Sequence, residues 1–240
     1  MPLRSLNIIS GKLYFWSMRT RTLLLTVVAS FCDASTFVGA GQLFSAHVTG
    51  NFIVLAYDLV HGADRHEWSK LLAFPMFFVA VMIAGKVDKL SSWPRDDYRL
   101  LRVEGWLLLL AAVAAAVTRL AAWRPDLIVV LIDMLVITAM GFQNAFSRLY
   151  SKLVFAPTTV MTGNTTSTAL DIVQGWLARP RDPVKVEHLR DNAWLLLVFL
   201  LGCLAGGFLA WKFGLADLVL PAGVLVVYFR YIRPEKADAG

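Results

Sequence analysis

Val48-Thr49-Gly50-Asn51-Phe52-Ile53-Val54-Leu55-Ala56-Tyr57-Asp58-Leu59-Val60-His61-Gly62 returns later in the chain as Met161-Thr162-Gly163-Asn164-Thr165-Thr166-Ser167-Thr168-Ala169-Leu170-Asp171-Ile172-Val173-Gln174-Gly175. At a constant offset of 113 the two stretches agree at seven of fifteen positions, namely Thr, Gly, Asn, Ala, Asp, Val and Gly. The likeness extends outward with small gaps. Asp33-Ala34-Ser35 resembles Asn144-Ala145-Phe146-Ser147, and Ile83-Ala84-Gly85 resembles Leu204-Ala205-Gly206 at an offset of 121. The additional eight residues of that offset fit the polar insertion at 178–191. The chain therefore reads as two copies of one unit.

The surroundings of these stretches decide the fold class. Of 240 residues 58% are apolar and only 17% charged, with a mean hydropathy of +0.61, whereas soluble proteins carry about 25% charged residues. Apolar runs occupy about 22–43, 69–86, 104–123, 126–147, 192–212 and 214–230, and about twenty such residues span the hydrocarbon layer. An all-α polytopic membrane protein of about six spans follows. The first run has a basic leader but is too long for the apolar region of a signal peptide, so it reads as retained. Its boundaries divide the chain into a leader at 1–21, a first membrane repeat at 22–123, a second at 124–230 and a tail at 231–240.

Cationic residues orient this arrangement, because Lys and Arg accumulate on the cytoplasmic side. With both termini cytoplasmic, 18 of the 23 fall inside, leaving Arg65, Lys70, Arg119, Arg124 and Lys212 outside. The +6 net charge is thereby explained by topology, and no nucleic-acid partner is expected. Trp16, Trp68, Trp106, Trp123, Trp194 and Trp211 fall near expected span ends, where an indole ring is half solvated.

A unit of three spans inverts each copy relative to the other. Each TGN segment has an apolar core of about ten residues, which reaches only about 15 Å as a helix. Re-entrant half-helices are expected rather than two further spans. Inverted repeats with interrupted helices recur in secondary transporters, where solute binds between the halves. The expected binding residues are Asp33, Thr49, Gly50, Asn51, Gln143, Asn144, Thr162, Gly163 and Asn164, with Thr or Asn capping each half-helix. Asp33, expected near mid-span, is the sharpest signal because an ionised carboxylate in hydrocarbon is costly. Coupling to a proton or cation would fall to Asp33, Asp58, Asp133 and Asp171. A competing reading of Asp33 bonds it structurally to Asn144 and Gln143.

Other features point to structure. Glu104 is expected to face the membrane interface. Gly202-Cys203-Leu204-Ala205-Gly206 is a close-packing face. Cys32 and Cys203 have neither ligand-like nor disulfide-framework spacing. His61, Asp64, His66 and Glu67 fit no established metal spacing, so no metal or cofactor is expected.

Phe31-Cys32-Asp33-Ala34-Ser35, the stretch 44–51 ending in Val-Thr-Gly-Asn, Gly141-Phe142-Gln143-Asn144-Ala145, and Pro157-Thr158-Thr159-Val160-Met161-Thr162-Gly163-Asn164 together resemble the YoaK family of bacterial membrane proteins, a domain of unknown function. The resemblance covers residues 20–230 and implies an inner-membrane protein of about six spans; it implies no substrate or reaction. The expected partners are the lipid bilayer, a small-molecule solute and a second copy of the chain. Three functions remain open at this point. The first is a small-solute transporter or facilitator. The second is an intramembrane enzyme, for which HExxH, GxSxG and a cysteine beside a base are all lacking. The third is a non-transporting scaffold.

Overall fold

A computed structural model describes residues 3–62, 68–89, 98–121, 126–159 and 161–231, with side chains from 18 to 229. Eight α-helices occur among the described residues: α1 (Leu3–Gly39), α2 (Gly50–His61), α3 (Trp68–Lys89), α4 (Arg99–Leu120), α5 (Asp126–Leu149), α6 (Met161–Asp171), α7 (Pro183–Phe213) and α8 (Val219–Tyr231). A π-helical turn (Ile172–Trp176) extends α6, and a 3-10 turn (Gly214–Leu218) joins α7 to α8.

Local chemistry sets several helix ends. Asp182 opens α7 by accepting hydrogen bonds from the backbone N–H groups of Val184 and Lys185, at 3.0 and 3.4 Å, with Pro183 at the first helical position. There the missing proline N–H costs nothing. Beyond α1 the chain turns through Gly41 and Gln42, at φ 74° and 64°; the left-handed region is open to glycine and costly for glutamine. Pro75 lies inside α3, where membrane helices tolerate it because neighbours satisfy the freed carbonyl.

Among the described residues five helical stretches are long and apolar enough to cross a bilayer: Met18–Gly39, Trp68–Lys89, Arg99–Leu120, Asp126–Leu149 and the continuous Pro183–Phe229. The last contains α7, the 3-10 turn and α8. The expected single helix over 214–230 is thus broken, with Gly214 at φ 63° starting the turn. The 13 residues of α8 reach about 20 Å, less than the hydrocarbon thickness of about 30 Å.

Packing separates a centre from a periphery. The core joins Leu25 and Cys32 of α1, Leu101 and Leu108 of α4, Phe146 of α5 and Phe229 of α8, all fully buried. On α3 and α7, Phe78, Met82, Leu204 and Phe208 are exposed, as lipid-facing side chains are. α1 packs chiefly on α7, α3 on α5, and α4 on both α5 and α8. Arg119 at the end of α4 donates to the Lys212 carbonyl at the end of α7, while Arg102 near its start donates to the Phe229 carbonyl of α8. These two bonds fix opposite ends of the bundle.

Both large crossings depend on small residues. A Cβ on Gly206 would lie 2.3 Å from the Phe31 carbonyl oxygen, and one on Gly202 would lie 2.0 Å from Ser30 Oγ. In the other crossing, a Cβ on Gly141 of α5 would meet Ala80 Cβ of α3 at 2.7 Å. Close packing of Gly202 and Gly206 was expected; Gly141 was not singled out. Because backbone atoms of Phe31 cannot yield as a flexible side chain can, Gly206→Val should destabilise the fold by about 1–3 kcal/mol or more, measured by unfolding in mixed micelles. Gly85→Val, with open space around it, should leave stability near that of the wild type.

Candidate functional site

The non-helical connectors at 40–49 and 150–159 carry much of the polar bonding among the described residues, since exposed backbone amides inside a membrane protein need partners. Thr49 precedes α2 in helical geometry and makes no side-chain capping bond. The Thr-Gly-Asn residues do not cap their helices from outside. Gly50 starts α2, and Thr162, Gly163 and Asn164 already lie in the first turn of α6. The asparagines instead tie connector to helix. Asn51 is fully buried; its Oδ1 accepts from Phe44 N at 2.7 Å and its Nδ2 donates to Phe44 O at 2.8 Å. Asn164 Nδ2 donates to Pro157 O at 3.1 Å. Proline has no N–H to return, so the second tie has one backbone hydrogen bond where the first has two.

Asp33 holds the same connector from the other side. It lies in the penultimate turn of α1 rather than at its middle. Its Oδ1 accepts from Ala46 N at 2.6 Å and from His47 N at 3.3 Å, and its Oδ2 meets His47 Nδ1. Neither Gln143 nor Asn144 bonds to it. Asn144 Nδ2 donates to Thr159 Oγ1 at 2.8 Å, and Gln143 Nε2 donates to the Leu25 carbonyl and to Thr158 Oγ1, at 2.8 and 2.9 Å. His47 was not anticipated. Its ring also packs edge-on against Phe199 of α7. The hydrogen bond and charge of Asp33 push the imidazole above its ordinary value of 6.5, outweighing burial, which acts in the opposite direction.

The remaining acids divide. Asp58 of α2 pairs with Lys70 of α3, and both are largely buried. Asp171 instead lines a cavity of about 680 Å³ together with Asn164, Ser167, Glu187, His188 and Asp191; Asp191 is paired with Arg19 of α1. Asp133 is buried in α5 with Oδ1 unpartnered. Glu104 does not face the interface. It is fully buried under α8, whose Leu225 and Val226 crowd the neighbouring Gly105, and neither carboxylate oxygen has a hydrogen-bond partner. Asp217, also missed, accepts from Ser35 Oγ at 2.8 Å. His61 bonds to the Tyr57 carbonyl, while Asp64, His66 and Glu67 lie outside the described residues. Trp123 does also.

The two TGN ends are not brought together. α2 packs on α3 and α6 on α7, and the two helices do not touch among the described residues. Asp33, Asn51 and Asp58 form no part of the cavity wall beside α6.

The sequence model of a family described as "Protein of unknown function (DUF1275)" matches residues 22–231. The chain belongs to that family. A curated relative, the UPF0700 transmembrane protein YoaK of Bacillus subtilis (strain 168), is 27% identical over 186 residues, covering 75% of this chain and 77% of the relative. No solved structure matches. Family membership, a transmembrane relative and the apolar helices make this a membrane protein of a family whose function is unknown.

Two outcomes follow from the site geometry. Asn51→Ala strands both backbone groups of Phe44 and should cost about 1–3 kcal/mol, more than Asn164→Ala, as read from thermal unfolding in detergent. For His47 the folded pKa is raised. Its contribution to stability is therefore complete below the unfolded value of about 6.5 and is lost as pH rises through the folded value. The stability gap between wild type and His47→Gln should be widest in mildly acid buffer and close on the alkaline side; a gap that grows with pH would contradict the assignment.

Proposed function

We propose that this chain is a small-solute transporter or facilitator of the bacterial inner membrane, built from inverted repeats at 22–123 and 124–230, with both termini cytoplasmic. Matching contacts in the two halves support the inversion. α1 crosses α7 through Ser30 against Gly202, and α5 crosses α3 through Gly141 against Ala80 and Val81. With the sequence offsets of 111 and 121, Gly141 and Val81 are the repeat equivalents of Ser30 and Gly202. Likewise Asn51 to Phe44 corresponds to Asn164 to Pro157, and Asp33 to Ala46 corresponds to Asn144 to Thr159.

The observation that carries the transport reading is an unequal closure of these equivalent halves. In the first, Asp58 and Lys70 tie α2 against α3. In the second, Asp171 stands in the place of Asp58 and Asp191 in that of Lys70, at the offsets of 113 and 121. Two carboxylates cannot form the corresponding tie, and both border the cavity. An ion pair between the helices of one half, set against a cavity beside the second half, where Lys185 instead donates to Gln174 at 2.7 Å, is the kind of inequality that alternating access requires. The cavity then opens to the cytoplasm, and exchange of the two packings would open the α2 side. Solute would meet Asn164, Ser167 and Asp171 in this state. The TGN ends act in turn and do not form one shared site.

Osmotic swelling of proteoliposomes in glycerol, acetate or glycine tests the reading. Swelling faster than empty vesicles in at least one solute, and slowed in folded Asn51→Ala and Asp33→Asn variants, is expected; behaviour identical to empty vesicles in all three counts against it. Cysteine placed at Ser167 should react with an impermeant maleimide from the cytoplasmic face only. Adding Asp171→Lys, which supplies the missing cation, should slow that labelling severalfold. Reporter fusions to 40–49 and 150–160 landing on one side of the membrane would defeat the inversion.

A further inference from the structure

The cavity beside α6 has a wall of defined chemistry. Asn164, Ser167 and Asp171 follow one another at helical spacing along one face of α6, and all three line the cavity of about 680 Å³, a volume that suits a small organic solute. α7 adds Glu187, His188 and Asp191 to the lining. Most charges around this space are already engaged. Asp191 is paired with Arg19 and Glu187 with Arg190, and Lys185 donates to Gln174. Lys152 and His188, the basic members of the lining, are exposed. Asp171 is half-buried, and its carboxylate has neither an ion pair nor a hydrogen bond among the described residues.

Asn164 has a second unmet acceptor. It is 7% exposed, and its Nδ2 donates to the Pro157 carbonyl and lies 3.7 Å from Met161 Sδ. Its Oδ1 accepts nothing among the described residues, yet it is not one of the atoms sealed inside the protein. A buried amide oxygen is costly until a donor reaches it. The first half has both donors built in. There Asn51 Oδ1 takes the Phe44 N–H at 2.7 Å, and the carboxylate of Asp58 takes the ammonium of Lys70. At the offsets of 113 and 121 the second half has Pro157 for Phe44 and Asp191 for Lys70. Proline has no N–H, and an ionised carboxylate only accepts. Two acceptors on one cavity wall therefore lack the N–H and the ammonium that their counterparts hold.

We propose, resting on the transport reading above, that the solute is a small aliphatic amine with an ammonium at one end and a second N–H donor at the other, the simplest being a linear diamine. The ammonium meets Asp171 as Lys70 meets Asp58, and the second donor meets Asn164 Oδ1 as the Phe44 N–H meets Asn51. Seven residues of helix separate Asn164 from Asp171, about 10 Å along the axis. One ammonium does not bridge that distance, so an elongated solute with donors at both ends follows. Ser167 lies between them on the same face. Met18, Val154, Phe155 and Val184, also in the lining, suit the methylene chain that joins the two ends.

An anionic solute suits this wall less well. Its charge would meet the carboxylates of Asp171, Glu187 and Asp191, and like charges brought together disfavour the charged form. The cations Arg19, Arg190 and Lys185 already hold partners of the protein's own. A bare metal ion also fits poorly, because among the described residues no three His, Cys, Asp or Glu side chains gather closely enough to hold one. Asp171 and Asn164 Oδ1 offer acceptors only, so a solute without donors gains nothing from either.

Calorimetric titration of the full-length protein in lipid nanodiscs, at constant ionic strength, tests this with 1,4-diaminobutane, butylamine and succinate. Saturable binding of the diamine is expected, with butylamine severalfold weaker and succinate silent. Asp171→Asn should weaken the diamine about tenfold, as loss of one charged hydrogen bond does. Pro157→Ala returns an N–H to the position of Phe44 and should weaken the diamine about fivefold while leaving butylamine unchanged, a pattern that damage to the fold does not produce. No saturable diamine binding, butylamine or succinate binding as tightly as the diamine, or equal diamine binding by wild type and Asp171→Asn overturns the proposal. Proteoliposomes separate it from the reading on which it rests. Swelling in glycerol without any diamine binding removes the amine and spares transport. The expected binding pattern, with no uptake of labelled diamine and no swelling in glycerol, acetate or glycine, upholds the amine site and removes transport.

Discussion

Backbone amides that leave a helix within a bilayer must find partners inside the protein, and this constraint governs how the connectors at 40–49 and 150–159 are built. Asn51 grips both polar groups of Phe44 while Asp33 grips Ala46 and His47. In the second half Asn164 and Asn144 take up corresponding positions. Every residue type used is short and polar, with the donors or acceptors needed at fixed reach. The same residues that stabilise irregular chain inside the bundle are therefore the polar features the sequence displays most clearly.

Helix packing supplies the frame on which those connectors hang. Glycines at 141, 202 and 206 bring backbones together at two crossings, where packing rather than water exclusion holds membrane helices in place. Large apolar side chains such as Phe78, Met82, Leu204 and Phe208 also cover the outer faces of α3 and α7. The interior combines large apolar residues such as Phe146 and Phe229 with Ser30, Ser35, Thr36 and Gln143, all fully buried.

Much of this was legible in the sequence. Apolar run length located the first four spans, while the expected fifth and sixth runs form one continuous helical stretch; the repeated Thr-Gly-Asn motif located the connectors; Gly202 and Gly206 announced a close crossing. The asparagines were assigned the wrong task, because their partner seven residues earlier is chosen by how the connector folds back, and capping is the local alternative with the same residue types. Glu104 was expected at the interface because the apolar run begins there, but α4 starts at Arg99 and α8 covers the position. His47 has no repeat counterpart of its kind, and only the fold reveals its contact with Asp33. The break at 214–218 was signalled by Gly214 and Asp217 within an otherwise apolar run.

Pro157 stands where the first half has Phe44, and it removes one hydrogen bond from an otherwise duplicated clasp. Two conformers related by an exact internal twofold would be equal in energy and equally occupied. A missing bond on one side lifts that degeneracy by an amount of the order of a single net hydrogen bond, about 1 kcal/mol. Under the alternating access proposed above, that would be enough to choose which face of the membrane the resting protein presents, and too little to lock it there.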